Sequence, residues 1–148
     1  MNMVTNERQF RITKSQLAKL RAAAADFDIA EANKRLGSPI LARAELGALE
    51  SEIEALSAQL RDYEALKSGA VRVLQAENLS ELPGILIRAR IAQGLSQREL
   101  AQMLGLKEQQ IQRYEAEGYA TASFRRLSEV AAALKLSLQT VGSALARV

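Results

Sequence analysis

The most regular hydrophobic pattern in the chain lies within residues 38–67. Apolar side chains recur there at alternating steps of three and four residues: Leu46, Leu49, Ile53, Leu56, Leu60 and Tyr63. This period is typical of a coiled-coil seam. Ser38 can cap the start of a helix, Pro39 suits its first turn, and Gly69 can supply a left-handed cap at its end. The pattern predicts a single helix of roughly 45 Å.

A second apolar stripe precedes this helix and predicts a partner for it. Its positions are Phe10, Leu17, Leu20, Ala24 and Phe27, with Thr13 at the remaining position of the stripe. The partner helix could begin at Asn6, with Gln9 completing a capping box, or at Thr13, with Gln16. We prefer Asn6 because the two helices then match in length. The break at residues 36–39 is short, so we expect an antiparallel hairpin.

Two roles for the hairpin stay open. It could be a dimerisation or partner-binding arm, or it could be a scaffold that only buries its own seam. A seam of two helices is thin and usually needs further burial.

The pattern changes after residue 69 and marks a boundary. Residues 70–74 alternate weakly and could form a short strand, whereas residues 78–81 resemble a linker or a capped single turn. We therefore expect a helical hairpin over residues 1–69, a linker over residues 70–81 and a second domain over residues 82–148.

The second domain has the pattern of five short helices. We expect them at residues 83–93, 96–104, 107–116, 123–136 and 137–147. Ser96 with Glu99 forms a capping box at the start of the second, and Ser123 can cap the fourth. The chain as a whole is predicted to be all-α.

The second and third of these helices have the spacing of a helix-turn-helix. The positions that lock the two helices together are apolar: Leu100, Leu104, Leu106, Ile111 and Tyr114. Ala101 is small where the helices cross, and Gly105 permits the tight turn between them. Such a pair leaves its second helix free to enter the major groove of DNA.

Composition and charge narrow the function classes. The chain has no Cys and no His, which removes the usual zinc and copper ligands and the usual nucleophile and proton-transfer groups. We expect no enzymatic activity, no metal and no cofactor. Neither a transmembrane run nor a signal peptide is evident, so we expect a cytoplasmic protein without membrane contact.

Residues 82–148 carry nine Lys or Arg and five Asp or Glu, against eleven and twelve in residues 1–81. A basic C-terminal half suits a polyanion.

The segments Gly94–Ala101, Leu104–Leu106 and Ile111–Glu115 resemble the Xre (Cro/C1-type) helix-turn-helix family. The resemblance covers residues 86–141 and leaves the N-terminal hairpin outside. It implies DNA binding by a bacterial regulator of transcription, but it does not identify the target genes.

The resemblance also implies roles for individual residues. Gln97 would touch a phosphate, and Arg125 and Arg126 would contact the DNA backbone. The third predicted helix, at residues 107–116, would be the recognition helix that enters the major groove. The residues near it or on its exposed side are Arg98, Lys107, Glu108, Gln109, Gln110, Gln112 and Arg113. Gln pairs well with adenine and Arg with guanine, and we favour Gln109 and Arg113 for these contacts.

Three further residues have alternative interpretations. Glu108 is an unusual residue for a DNA-binding surface, because its carboxylate repels phosphate. It is favourable there only if it accepts a hydrogen bond from a base, such as cytosine. Glu115 is expected to form a structural ion pair with Arg90, as the resemblance implies. Tyr119 could contact the DNA backbone or pack against its own domain.

The predicted function is a dimeric, sequence-specific repressor that binds double-stranded DNA. The alternative is an antitoxin that binds a cognate toxin through residues 1–69 and autoregulates its operon. A homodimer could form through the hairpin or through the fifth helix, with Leu138, Val141 and Leu145. We favour the hairpin because its apolar stripe is longer.

Overall fold

The computed structural model describes residues 3–139. Its helices are α1 (Glu7–Ala25), α2 (Ile29–Leu36), α3 (Pro39–Lys67), α4 (Leu82–Ala92), α5 (Gln97–Leu104), α6 (Glu108–Ala116) and α7 (Phe124–Ala133). A 3₁₀ turn at Leu79–Glu81 precedes α4. Within residues 3–139 there is no strand, which confirms the predicted all-α class.

Helices α1 to α3 form the N-terminal hairpin. Both α1 and α2 pack against α3. Asn6 caps α1, because its side chain accepts a hydrogen bond of 2.9 Å from the backbone N–H of Gln9, so the preferred helix start is confirmed. Ser38 caps α3 in the same way through Leu41.

The sequence predicts one continuous helix for the first arm of the hairpin. In the structure this arm consists of two helices, α1 and α2. Asp28 accepts hydrogen bonds from the backbone N–H groups of Ala30, at 2.9 Å, and Glu31, at 3.2 Å. A short acidic side chain can compete with the helix for these donors, and it thereby starts α2 after a break at residues 26–28.

The connection after α3 also differs from expectation. The strand predicted at residues 70–74 is wrong, because this segment is irregular in the structure. No strand occurs within residues 3–139, so this segment has no neighbouring strand with which to form a ladder. Val71 and Leu74 instead pack their side chains against the hydrophobic core.

The last part of the chain contains the helix pair that positions the candidate site. The helices predicted around residues 83–93, 96–104 and 107–116 are present as α4, α5 and α6. The fourth predicted helix ends three residues early, at Ala133, and Lys135 has a φ of 52°. Residues 137–139 are irregular, and residues 140–148, which hold most of the predicted fifth helix with Val141 and Leu145, lie outside the described residues.

One hydrophobic core joins the hairpin to the helices that follow. Val4 and Leu66, which are 3% and 1% exposed, belong to the same cluster as Leu100, Ile111 and Val130. The base of the hairpin therefore packs directly on the C-terminal helices. The division at residues 70–81 stays a prediction, and the shared core was not foreseen from the sequence. No helix within residues 3–139 is both long and apolar enough to cross a membrane.

Candidate nucleic-acid interface

A capping box fixes the start of α5. The backbone N–H of Ser96 donates to the Glu99 carboxylate at 2.7 Å, and the N–H of Glu99 donates to the Ser96 hydroxyl at 3.1 Å. The hydrogen bonds from the backbone and side chain of Ser96 hold the pKa of Glu99 below its ordinary value. These reciprocal bonds satisfy donors that a helix end otherwise leaves free.

A tight turn sets α6 across α5. Gly105 has a φ of 66°, a conformation that glycine adopts without strain. The N–H of Leu106 then donates to the carbonyl of Ala101 at 2.8 Å, which closes the turn. Leu100 and Ile111 are fully buried, and Ala101 is nearly so. These contacts give α6 a fixed inner face and a solvent-facing outer face.

The outer face of α6 is polar. Lys107, Glu108, Gln109, Gln112 and Arg113 are exposed. The Gln112 side-chain amide donates to Glu108 at 3.2 Å, one turn away. Gln110 is only half exposed, since its amide oxygen turns back to accept from the N–H of Lys107 at 2.9 Å. This face offers amide, ammonium and guanidinium donors of the kind that read base edges.

A buried ion pair ties α6 to α4. Arg90 and Glu115 are 2% and 5% exposed. The Arg90 Nε and Nη2 atoms donate to the two oxygens of Glu115, at 2.6 and 2.8 Å. The bidentate geometry confirms the predicted pair. Arg90 also donates to the backbone carbonyls of Leu95 and Thr5, each at 2.6 Å, so it connects the helix-turn-helix to the start of the chain.

Gln97, for which the sequence predicts a phosphate contact, is at the start of α5 as expected but forms hydrogen bonds within the protein. Its side chain is buried, and its amide donates to Glu115 at 2.6 Å. Its amide oxygen accepts from the Asn6 side chain at 3.2 Å. Both polar ends of Gln97 are thus engaged within the protein, and the segment before α1 covers it. This arrangement argues against a phosphate contact by the Gln97 side chain.

The other predicted backbone contacts are on the surface. Arg98 is exposed at the start of α5. Arg125 and Arg126 lie in the first turn of α7, and both contact Glu129, at 3.3 and 2.7 Å. Arg125 keeps most of its surface in solvent, with a side-chain exposure of 90%, whereas that of Arg126 is 28%. Arg125 is therefore the more accessible cation of the two.

Tyr119 packs against its own domain. It is 3% exposed, and its ring stacks on Tyr114 with the centroids 5.5 Å apart. Burial raises the pKa of its hydroxyl above the ordinary value. Of the two alternatives, the structure supports packing over contact with DNA.

The start of α1 lies next to the recognition helix, which the sequence pattern did not reveal. A groove of about 370 Å³ is lined by Asn6 and Arg8 from the start of the hairpin and by Glu108 and Gln112 from α6. The hydrogen bond between Asn6 and Gln97 spans 91 residues of sequence. The spacing of residues within one helix cannot predict a contact between residues so far apart in the sequence. Arg8 is thereby added to the charged groups at the candidate interface.

Comparison with known proteins agrees with this geometry. Residues 86–141 match the family model HTH_3, helix-turn-helix, and the match includes α5, α6 and the turn between them. Neither the curated proteins nor the solved structures yielded a match. The matched family is one of DNA-binding regulatory domains rather than of enzymes. The matched part of the chain therefore carries a helix-turn-helix domain of the Xre (Cro/C1-type) kind, and this supports a DNA-binding regulator of transcription.

Proposed function

We propose that the protein is a sequence-specific repressor that acts as a homodimer on an operator of two half-sites. The observation that carries this proposal is the outer face of α6, which is polar and exposed while Ile111 on its inner face is completely buried. A helix held in this way can insert into the major groove without rearranging. A dimer that occupies such a site on the DNA would block access to it, which is the simplest basis for repression.

In this proposal one set of side chains contacts the bases and another set contacts the phosphates. Gln109 and Arg113 read base edges, because both are exposed on α6 and both can form paired hydrogen bonds with a base. Arg98, Lys107 and Arg125 hold phosphates, which position the protein without reading sequence. The side chain of Gln97 is left out of the second set because its hydrogen bonds are made within the protein.

The two sets should respond differently to mutation. Gln109→Ala or Arg113→Ala should cost about 1–3 kcal/mol on the preferred operator and much less on random DNA. Arg125→Ala should weaken binding to both and lower the salt slope by about one, since one fewer counterion is released. The measurement is a salt titration of affinity, with an operator obtained by selection from random duplexes. Equal losses on both duplexes for the α6 variants would contradict base reading.

Glu108 provides a separate test at the same helix. If its carboxylate accepts a hydrogen bond from cytosine, Glu108→Ala should relax specificity at one base pair. If it only repels phosphate, the same change should tighten binding to every duplex. Because Gln112 donates to Glu108, we propose the first outcome, in which the two side chains hold each other in place. Uniformly tighter binding would contradict it.

The hairpin is the proposed dimer interface. Apolar side chains remain exposed at the start of α2, with Ile29 at 46%, and at the start of α3, with Ile40 at 79% and Leu41 at 53%. A second copy related by a twofold axis would cover the same residues on both chains and would pair two recognition helices with two half-sites. Light scattering should show a dimer, and Ile40→Glu should shift it towards monomer. A dimer unaffected by Ile40→Glu would place the interface elsewhere.

A further inference from the structure

The hairpin consists of one basic and one acidic helix. Helix α1 contains a single acidic residue, Glu7, and five basic ones: Arg8, Arg11, Lys14, Lys19 and Arg21. Helix α3 has the opposite balance, with Arg43, Arg61 and Lys67 against Glu45, Glu50, Glu52, Glu54, Asp62 and Glu64. The charges of the two helices nearly cancel in the total for residues 1–81, which hides the basic character of α1.

The basic helix α1 begins beside α4 and α5, at a groove that it shares with the recognition helix α6. Two hydrogen bonds fix its start: Arg90 donates to the carbonyl of Thr5 at 2.6 Å, and Asn6 donates to Gln97 at 3.2 Å. One turn of helix rises only about 5.4 Å. Arg8 therefore stays close to these anchors, and it lines the same groove as Glu108 and Gln112. A cation from the N-terminal arm thus lies beside the face proposed to enter DNA.

The acidic groups near this position are mostly paired. Glu7 forms an ion pair with Lys67, and the hydrogen bond from Lys67 lowers the pKa of Glu7 and raises that of Lys67. Glu115 is buried against Arg90. Arg8 and Arg11 are exposed, and neither takes part in an ion pair within residues 3–139. Glu108, the other acidic side chain that lines the groove, forms no ion pair within residues 3–139, and Arg8 lines the same groove.

We propose that α1 is part of the DNA-binding surface and that Arg8 and Arg11 contact the phosphate backbone beside the recognition helix. Arg8 then supplies the phosphate contact that the sequence had assigned to Gln97, whose side chain is covered by Asn6. Its charge also offsets the repulsion between Glu108 and the nearby phosphates. The inference rests on the proposed DNA binding and extends the interface beyond the helix-turn-helix domain to the hairpin.

Charge-removing variants of the full chain test this proposal. Arg8→Gln should weaken binding to operator and random duplexes alike, by about 3- to 10-fold near 0.1 M salt, and should lower the salt slope by about one. Arg8→Gln/Arg11→Gln should lower the slope by about two. Arg8→Lys should retain most of the affinity, because an ammonium also binds phosphate as a point charge. The matched control is Arg61→Gln, which removes the same charge from an exposed position on α3 and should change neither quantity.

The outcomes separate this proposal from the proposed function. An unchanged affinity and slope for the double variant, with Gln109→Ala still losing operator binding, would overturn the contact by α1 and leave the function standing. Tighter binding by Arg8→Gln would show that α1 obstructs DNA and would also overturn it. No binding of the wild-type chain to any duplex at low salt would overturn both. Circular dichroism of each variant checks that the helices are intact.

Discussion

Arg90 and Glu115 connect three separate parts of the chain through two side chains. The guanidinium reaches the start of the chain at Thr5 and the loop at Leu95, while the carboxylate also accepts from Gln97. Four of these five hydrogen bonds are buried and the one to Leu95 is partly buried, so a charge without its partner would be costly here. The pair therefore specifies how the N-terminal segment, α4 and α6 meet.

Removing one member of the pair should destabilise the whole molecule. Glu115→Ala leaves Arg90 buried without its counter-charge, so the free energy of unfolding should fall by roughly 3–5 kcal/mol. Urea unfolding followed by circular dichroism measures this, without DNA. Glu117→Ala is the control: the next acidic residue along is exposed, and its loss should change stability by less than about 0.5 kcal/mol. Similar stabilities for the two variants would contradict the structural role of the pair.

The ring of Tyr119 is buried, and its hydroxyl is buried with it. Its φ is 58°, and within residues 3–139 its buried hydroxyl has no hydrogen-bond partner. A buried polar group without a partner costs roughly 1–3 kcal/mol. Tyr119→Phe keeps the stacking on Tyr114 and removes the hydroxyl, so it should raise the melting temperature by a few degrees. A lower melting temperature would show that the hydroxyl is hydrogen-bonded in the protein.

At the scale of helices, the sequence was informative wherever a local pattern determines the structure. The starts of α1, α3, α5 and α7 follow from capping side chains, and the turn before α6 follows from Gly105. The apolar stripe does not reveal the break at residues 26–28, because it continues past the end of α1 at Ala25 to Phe27. The irregular segment at residues 70–74 was mistaken for a strand because alternation alone does not show whether a partner strand exists.

The capping box of α5 makes part of the stability depend on pH. The hydrogen bonds from Ser96 place the folded pKa of Glu99 below its ordinary value of 4.5. The stabilisation is therefore complete above that value and is lost as the pH falls through the folded pKa. Glu99→Gln keeps an acceptor at this position but does not titrate, so its urea midpoint should fall less than that of the wild type between pH 6 and pH 3.

Glu99→Gln should not remove the acid sensitivity completely, because another carboxylate also titrates in this range. Glu7 has a pKa lowered by Lys67 and titrates in the same direction, so the variant should retain some acid sensitivity. Glu64→Gln, on the exposed surface of α3, serves as the control for the loss of one carboxylate. Identical acid dependence of Glu99→Gln and the wild type would show that the capping box does not contribute.

For the whole molecule, the sequence showed what the parts are but not how they meet. The family resemblance identified the exposed face of α6, because those positions follow from spacing within one motif. The position of Gln97 depends on Asn6, and that of Arg90 depends on Thr5, which lies 85 residues away. No periodicity along the chain encodes such contacts. The sequence pattern therefore predicts a separate arm, whereas in the structure the base of the hairpin belongs to the same core as Ile111 of the recognition helix.

This shared core leads to a prediction for the molecule as a whole. Leu66, at the end of α3, is 1% exposed and belongs to the cluster that contains Leu100 and Ile111. Leu66→Ala should lower the free energy of unfolding by about 2–5 kcal/mol, through lost burial and the cavity left behind. Because the cluster is continuous, hydrogen exchange should become faster in α6 as well as in α3.

An exposed residue in the middle of the same helix provides the control for this prediction. Glu52 is exposed and forms no ion pair within residues 3–139, so Glu52→Ala should change the free energy of unfolding by less than about 0.5 kcal/mol. Native-state hydrogen exchange with mass spectrometry resolves α3 and α6 separately and reports the opening free energy of each. If Leu66→Ala accelerates exchange in α3 alone, the hairpin unfolds independently and the two parts are not one cooperative unit. If both helices respond together, any change in the position of the hairpin acts on the recognition helix through the core.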